Sequence, residues 1–503
     1  MSWTEDLATL KARTRDVQDL GHTLAVLNWD QEVLMPPKGG PARGRMIGVI
    51  SRLMHERIAD QKVASLLASV ESSGKLKPGS DDAAFVRLTR RFHEHAVRVP
   101  TELVAEMAEN DARSQQAWVQ ARPANDFSLV EPLLARSVEL RRRVSEYFPE
   151  HAHPLDTHID ASDEGMTVAI LRGLFRQLRD ELVPLVQAVT AKPAPDDSFL
   201  NRKFPKAKQL AFSNKVLARL GYDFEAGRLD ESAHPFTTTL GAGDKRITTR
   251  VHADEHDVLY SLMSTIHEFG HGTYEQNIKE EYDGTPMFAG ASSGVHESQS
   301  RLWENVVGRS RGFWSYWYPR LQRTFGKALK DVDLEMFLRA INKVETSLIR
   351  TEADELTYNL HIIIRFDLEC QLMEGSLAVK DLPEAWHARY QSDLGQRAPD
   401  DRNGVMQDVH WYGGYWGVFH SYTLGNILSA QFYAAALQQQ PELAAQLAVA
   451  KTGGLHRWMK KHIYQHGAKY TPAELVQRVT GGPLSIAPYI AYLREKYGEL
   501  YAL

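Results

Sequence analysis

Residues 256–277 read His256-Asp257-Val258-Leu259-Tyr260-Ser261-Leu262-Met263-Ser264-Thr265-Ile266-His267-Glu268-Phe269-Gly270-His271-Gly272-Thr273-Tyr274-Glu275-Gln276-Asn277. Apolar residues fall at 258, 259, 262, 263, 266 and 269, the spacing of a half-buried helix. On that helix lies His267-Glu268-Phe269-Gly270-His271. Residues four apart share a helix face, so both imidazoles can reach one cation. Glu268, about 100° round the helix, can reach a water on that cation. This is the H-E-x-x-H arrangement of zinc proteases; the alternative is a pair of hydrogen-bonded histidines on a core helix.

A catalytic zinc takes three protein ligands and keeps one position open. Tyr274 and Asn277 stand where the longer Gly/His form of the motif needs its residues. Glu275 is eight residues from His267, about 12 Å along the helix axis, and is a poor ligand. Glu280, Glu281 and Asp283 lie in the polar stretch before the turn at 283–286. Glu297 is the better candidate. It follows Gly290-Ala291-Ser292-Ser293-Gly294, a helix start, and a second helix returning antiparallel carries it over the first. A first-turn carboxylate favoured by the helix dipole is the competing reading of Glu297.

Upstream, Phe236 to His252 is rich in Thr and β-branched residues around Gly241-Ala242-Gly243-Asp244, which predicts a hairpin beside the metal helix. Its edge is either a structural ribbon or a strand that pairs with an extended peptide. Elsewhere the pattern is helical: 7–27, then about 42–75, 80–120, 129–148 and 165–190, with Pro36-Pro37-Lys38-Gly39-Gly40 as a break. The fold class is mostly α. No repeat or low-complexity linker interrupts the chain, so a single catalytic domain over 1–503 is expected.

Composition narrows the function. Hydrophobic residues are 43% and charged residues 24% of 503, as in a soluble globular protein. A net charge of −5 without a basic stripe speaks against nucleic-acid binding. No apolar run approaches the roughly 20 residues that span a bilayer. The acidic start, Met1-Ser2-Trp3-Thr4-Glu5-Asp6, has no apolar signal core, which predicts a cytoplasmic protein. The lone cysteine, Cys370, excludes an intramolecular disulfide and a Cys-based metal site.

An ordered set of motifs resembles one family, the metallocarboxypeptidases of the carboxypeptidase Taq (thermostable carboxypeptidase 1) type. Trp29-Asp30-Gln31-Glu32 with Met35-Pro36-Pro37 resembles its N-terminal signature, and His234-Pro235-Phe236 its H-P-F motif. Asp244-Lys245-Arg246-Ile247-Thr248 matches D-x-R-x-T, and His296-Glu297-Ser298-Gln299-Ser300 matches H-E-S-x-S. Ile349-Arg350-Thr351-Glu352-Ala353-Asp354 matches I-R-x-x-A-D, and Gly404 to Trp411 matches G-x-x-Q-D-x-H-W. One departure lies at Trp416-Gly417-Val418-Phe419-His420-Ser421-Tyr422, where Val418 and His420 replace a tyrosine and a proline.

The resemblance implies a helical body with zinc at the floor of a deep groove, a homodimer, and removal of single residues from peptide C-termini with broad specificity and proline refused. The metal ligands are then His267, His271 and Glu297, with zinc as the ion and cobalt or manganese as alternatives. Glu268 is the general base. Tyr422 and His410 are candidates for stabilising the oxyanion, or else packed core groups. A free α-carboxylate calls for an arginine fork. Arg350 is the first choice, either steadied by or merely paired with Asp354, and Arg246 and Arg250 are the next; His234 is a further substrate contact. Asp244 is expected to orient a ligand histidine. The rival functions are an endo-acting oligopeptidase on a similar scaffold and a non-catalytic peptide binder.

Overall fold

Residues 2–503 are described by a computed structural model. The chain is 67% helical, with one small three-stranded sheet. It divides into two compact units, each assembled from separated segments. The first comprises Met1–Val97, Asp197–Ile341 and Phe432–Pro483; the second comprises Arg98–Asp196, Asn342–Gln431 and Leu484–Leu503.

The expected helices form, with local breaks that the apolar period did not register. The N-terminal helix runs Trp3–Val33 and opens on a capping box, the Ser2 hydroxyl accepting from the Glu5 amide while the Glu5 carboxylate accepts from the Ser2 amide. The stretch near 42–75 is two helices, Gly40–Ile58 and Gln61–Ser72, because Asp60 caps the second by accepting from the Lys62 amide. The stretch near 80–120 is likewise divided, into Asp81–Arg98 and Thr101–Ala124, at Pro100.

In the first unit the strands are β1 (Leu229–Glu231), β2 (Thr237–Gly241) and β3 (Asp244–Thr249), in the order β1-β3-β2. β2 and β3 are the predicted hairpin, with Thr237 opposite Ile247 and Thr239 opposite Lys245. β1 adds a parallel partner on the other side of β3. It is too short and too polar to stand out in the sequence.

The metal helix, Val258–Gln276, is packed on two flanks through glycines. A Cβ on Gly270 would lie 2.4 Å from the Ser300 Cα and 2.5 Å from the Gln299 carbonyl oxygen. A Cβ on Gly272 would lie 2.9 Å from Ile247 Cγ2 on β3. The helix Ser293–Arg301 therefore meets the metal helix backbone to backbone, and β3 closes the other flank. Phe269 meets Trp303 edge-on at 5.3 Å beside the first contact.

The second unit has its own core around Phe175, Leu178, Ile363, Phe366 and Trp386. The helix Tyr358–Glu374 runs through it and brings Glu369 inside. Glu369 Oε1 accepts from the Trp411 indole at 3.2 Å and from the Gly417 amide at 2.9 Å. Burial pushes this carboxyl up to about 8.

Gly270→Ala has no backbone-neutral way to fit and should cost about 1–3 kcal/mol or more of stability, read by chemical denaturation, with metal retention falling alongside. Glu369 binds its proton more tightly folded than unfolded, so its contribution to stability is full below about pH 4.5 and is lost as pH rises towards 8. Glu369→Gln keeps the acceptor and removes the titration. Its stability relative to the parent should rise by a few kcal/mol (order of magnitude) between pH 5 and pH 9; a pH-independent difference would contradict the assignment.

Candidate metal centre and catalytic residues

The antiparallel packing of the metal helix and Ser293–Arg301 sets the first cluster. Contacts run in opposite chain senses, His267 meeting Glu304 and Glu275 meeting His296. Ser292 starts the second helix by accepting from the Val295 amide at 3.2 Å, which places Glu297 in its first turns. Glu297 Oε2 then lies 3.2 Å from His271 Nε2 and 3.6 Å from His267 Nε2. The ligand atoms of His267, His271 and Glu297 all fall within 4.8 Å of one another, among the described residues the one His/Cys/Asp/Glu group that can hold a metal ion.

The opposite nitrogens of both rings are anchored. His267 Nδ1 meets Glu304 Oε2 at 2.9 Å, and His271 Nδ1 meets His296 Nδ1 at 2.5 Å. Glu304 sits in a π-helical stretch, Leu302–Val307, that continues the Glu297 helix. Arg301 donates to Glu297 Oε1 at 2.6 Å and to Glu304 Oε2 at 3.3 Å, joining the candidate ligand to the outer carboxylate. Burial works against ionising Glu304, but the His267 hydrogen bond and the Arg301 charge outweigh it and hold the carboxyl at about 2. Burial likewise opposes charge on Glu297, and Arg301 and His267 keep it well below the ordinary carboxylate range. Burial disfavours a proton on His267, yet Glu297 and Glu304 raise it to about 9. The carboxylates thus favour positive charge on His267, whereas burial and the neighbouring imidazoles disfavour it on His271.

Glu268 is buried, and its Oε2 accepts from the Thr237 hydroxyl at 2.6 Å. Two residues along the same strand, the Thr239 hydroxyl donates to Glu275 Oε2 at 3.1 Å. Sequence reasoning missed both threonines, along with Glu304 and His296 as partners of the histidines. Their signal was the alternation of Thr237 and Thr239 on one face of β2 and the seven-residue spacing of Glu297 and Glu304.

The remaining candidates of the first unit lie as follows. Asp244 does not orient a ligand histidine. It is held by Arg246 through Nε at 2.9 Å and Nη2 at 2.7 Å, and Glu304 and His296 occupy the ring nitrogens instead. Arg246 also lies over the Trp29 ring at 4.1 Å. Arg250 is exposed and donates to the Ala233 carbonyl at 3.2 Å. His234 is exposed, and its carbonyl accepts from the Ser232 hydroxyl at 2.6 Å.

In the second unit Arg350 is buried and fixed by Asp408, not by Asp354. Its Nε and Nη2 donate to Asp408 Oδ1 at 2.9 and 2.8 Å, and Nη1 to the Tyr358 hydroxyl at 3.0 Å. Residues 350–352 are a 3₁₀ turn followed by extended chain, so the four-residue helical spacing to Asp354 does not operate. Asp354 accepts from the Leu356 and Thr357 amides and from the Thr357 hydroxyl. Asp408 Oδ2 also accepts from the fully buried Arg365 at 2.6 Å. Burial alone would raise Asp408, but Arg350 and Arg365 hold it far below its ordinary range. His410 Nε2 lies 3.2 Å from the Tyr422 hydroxyl, and burial is the leading cause that lowers this imidazole to about 4. His420, one of the departures from the family pattern, is buried against Asp163 at 3.0 Å, with Ser421 donating to the same oxygen at 2.7 Å.

Residues 9–497 match the family model for the carboxypeptidase Taq (M32) metallopeptidases. The chain is 40% identical to thermostable carboxypeptidase 1 of Thermus thermophilus over 99% of its length and 98% of the relative's. It is 38% identical to carboxypeptidase 1 of Bacillus subtilis, covering 97% of each chain. It superposes on the crystal structure of the M32 carboxypeptidase from Deinococcus radiodurans R1 with a TM-score of 0.96, at 46% identity and with 99% and 100% of the two chains covered. No helix among the described residues is long and apolar enough to cross a membrane. With its histidines and Glu297 gathered around one point, the chain belongs to the carboxypeptidase Taq (M32) family and is a metal-dependent carboxypeptidase.

Proposed function

We propose that this carboxypeptidase is zinc-dependent and releases single residues from peptide C-termini with broad specificity, disfavouring a C-terminal proline. Residues 1–503 are read as a single catalytic domain that works in the cytoplasm as a homodimer. The observation that carries the reading is the convergence of His267 Nε2, His271 Nε2 and Glu297 Oε2 beside the buried Glu268. Two imidazoles and a carboxylate are a donor set that catalytic zinc accepts, so the residues fit the ion.

A zinc ion held there would polarise the scissile carbonyl and acidify a water. Everything else falls to the chain's own groups. Thr237 holds Glu268 Oε2, which leaves Oε1 to take a proton from the attacking water and pass it to the leaving amine. Edge strand β2 lies beside a cavity of about 360 Å³ lined by Leu24, Asn28, Trp29, Phe236 and Thr237, which suits an extended peptide. His234, Arg246 and Arg250 are further contacts for that peptide.

Arg350 is assigned to the substrate α-carboxylate. Arg350 and Arg365 share the Asp408 carboxylate, and His410 is neutral near pH 7, so the buried group carries an excess positive charge that an anion would balance. Tyr422, paired with His410, supplies the O–H for the developing oxyanion. A peptide bond to proline lacks the N–H of other substrates, consistent with its refusal.

Glu268→Gln should lower kcat by about 10²–10⁴-fold while metal and peptide still bind. Mass-spectrometric ladders from one long peptide check this: loss of single C-terminal residues supports the reading, and internal cleavage would make the chain an endopeptidase. Arg350→Ala should cost about 2–5 kcal/mol in kcat/KM on free-carboxylate peptides and far less on the amidated peptide. Equal losses on both would assign Arg350 to structure or transition-state charge.

A further inference from the structure

Glu275 and His296 belong to the catalytic cluster yet neither has a place in the chemistry above. Glu275 is buried on the metal helix, and His296 precedes the candidate ligand Glu297. His271 Nδ1 meets His296 Nδ1 at 2.5 Å, His296 Nε2 meets Glu275 Oε1 at 2.7 Å, and Thr239 donates to Glu275 Oε2 at 3.1 Å. The chain of contacts thus runs from the metal position through two imidazoles and a carboxylate to strand β2.

Proton placement along this chain is forced from its metal end. A histidine that binds a cation through Nε2 must carry its proton on Nδ1. His271 Nδ1 is then a donor, so His296 Nδ1 must accept and holds no proton. His296 therefore carries its proton on Nε2, where the Glu275 carboxylate accepts it. The Thr239 hydroxyl occupies the other oxygen of Glu275 and fixes the rotation of the carboxylate. Each link admits one arrangement, and that arrangement leaves His271 Nε2 bare towards Glu297.

The His296 ring is packed on two sides and partly open to solvent. A Cβ on Gly290 would lie 2.5 Å from its Cδ2, and the Tyr274 ring is tilted against it with centroids 5.3 Å apart. The same strand β2 holds Glu268 through Thr237, so adjacent same-side threonines position both the proton acceptor and the metal-site relay.

We infer that His296 and Glu275 are positioning residues that lock His271 in its metal-binding tautomer and thereby set the affinity of the site for its ion. The inference rests on His271 and Glu297 being metal ligands. Glu297→Ala tests that reading separately, since it must lose most of the metal if the ligand set is right, whatever His296 does.

The experiment titrates zinc into the apo form of each variant against a chromophoric chelator, with the melting of the apo form recorded alongside. His296→Phe should raise the zinc Kd by about 10–100-fold, the usual effect of removing a ligand's hydrogen-bond partner. His296→Asn places an acceptor oxygen near the Nδ1 position and should recover most of that loss, which a merely structural role for the ring would not predict. A zinc Kd for His296→Phe within twofold of the parent would overturn the inference, as would an Asn variant no better than Phe. Should His296→Phe not fold, Glu275→Ala carries the test: it keeps the ring but frees its proton to either nitrogen, and an unchanged Kd would again overturn the inference.

Discussion

The metal centre depends on a backbone contact. Gly270 sits between Glu268 and His271, and at this residue the metal helix touches the Gln299–Ser300 backbone more closely than any side chain would permit. At about 100° per residue, Gly270 lies at −60° when His267 is set to 0°. His271 then falls near 40°, Glu275 near 80°, Glu268 near 100° and Gly272 near 140°. One flank of this arc is closed by a helix and the other by β3, both through glycines. Between them stand the two ligand candidates, Glu275 and Glu268. Widening the helix contact by the thickness of a methyl group would carry Glu297 away from both histidines.

The close approach also explains the density of ionisable groups. Glu268, Glu275, Glu297 and Glu304 are all drawn towards one stretch of helix, and burying carboxylates is costly unless each is bonded. Each has a partner that is itself anchored: Thr237, His296 with Thr239, Arg301 with Ser300, and His267 with Arg301. Preorganisation of this kind holds the ligand atoms in place before a cation arrives, so little reorganisation is needed on binding.

The sequence made the core of this legible and its supports less so. The four-residue spacing of His267 and His271 and the helix start before Glu297 follow from helix geometry alone, as does the rejection of Glu275 as a ligand. What Glu275 does instead depends on where residue 296 returns in space, which local pattern does not encode. Helical spacing pairs Asp354 with Arg350, but the segment is a 3₁₀ turn running into extended chain, and Asp408, 58 residues on, takes the position. The ribbon was visible in its β-branched run and Gly-rich turn, whereas β1 has three residues, too few for an alternation to register. Gly270 and Gly272 carry no sequence signal that separates them from ordinary helix glycines; only the atoms opposite reveal why a larger residue fails.

The two units carry opposite electrostatic demands, and each closes its own network internally. In the first, buried carboxylates raise His267 to about 9, so the group binds a cation or else a proton. In the second, Arg350 and Arg365 share the Asp408 carboxylate, and burial together with those guanidiniums leaves His410 neutral near pH 7. Adding a proton to His410 would deepen a positive excess; adding an anion would relieve it. Asp408 is thus better understood as a brace than as a neutralising partner. It fixes the Arg350 fork through Nε and Nη2 while Arg365 draws on its other oxygen, so the orientation of Arg350 is set and two guanidiniums share one carboxylate. An acidic partner belonging to Arg350 alone would have held the side chain equally well and left nothing for an anion to satisfy. Sharing one carboxylate between two arginines keeps the position and preserves the charge.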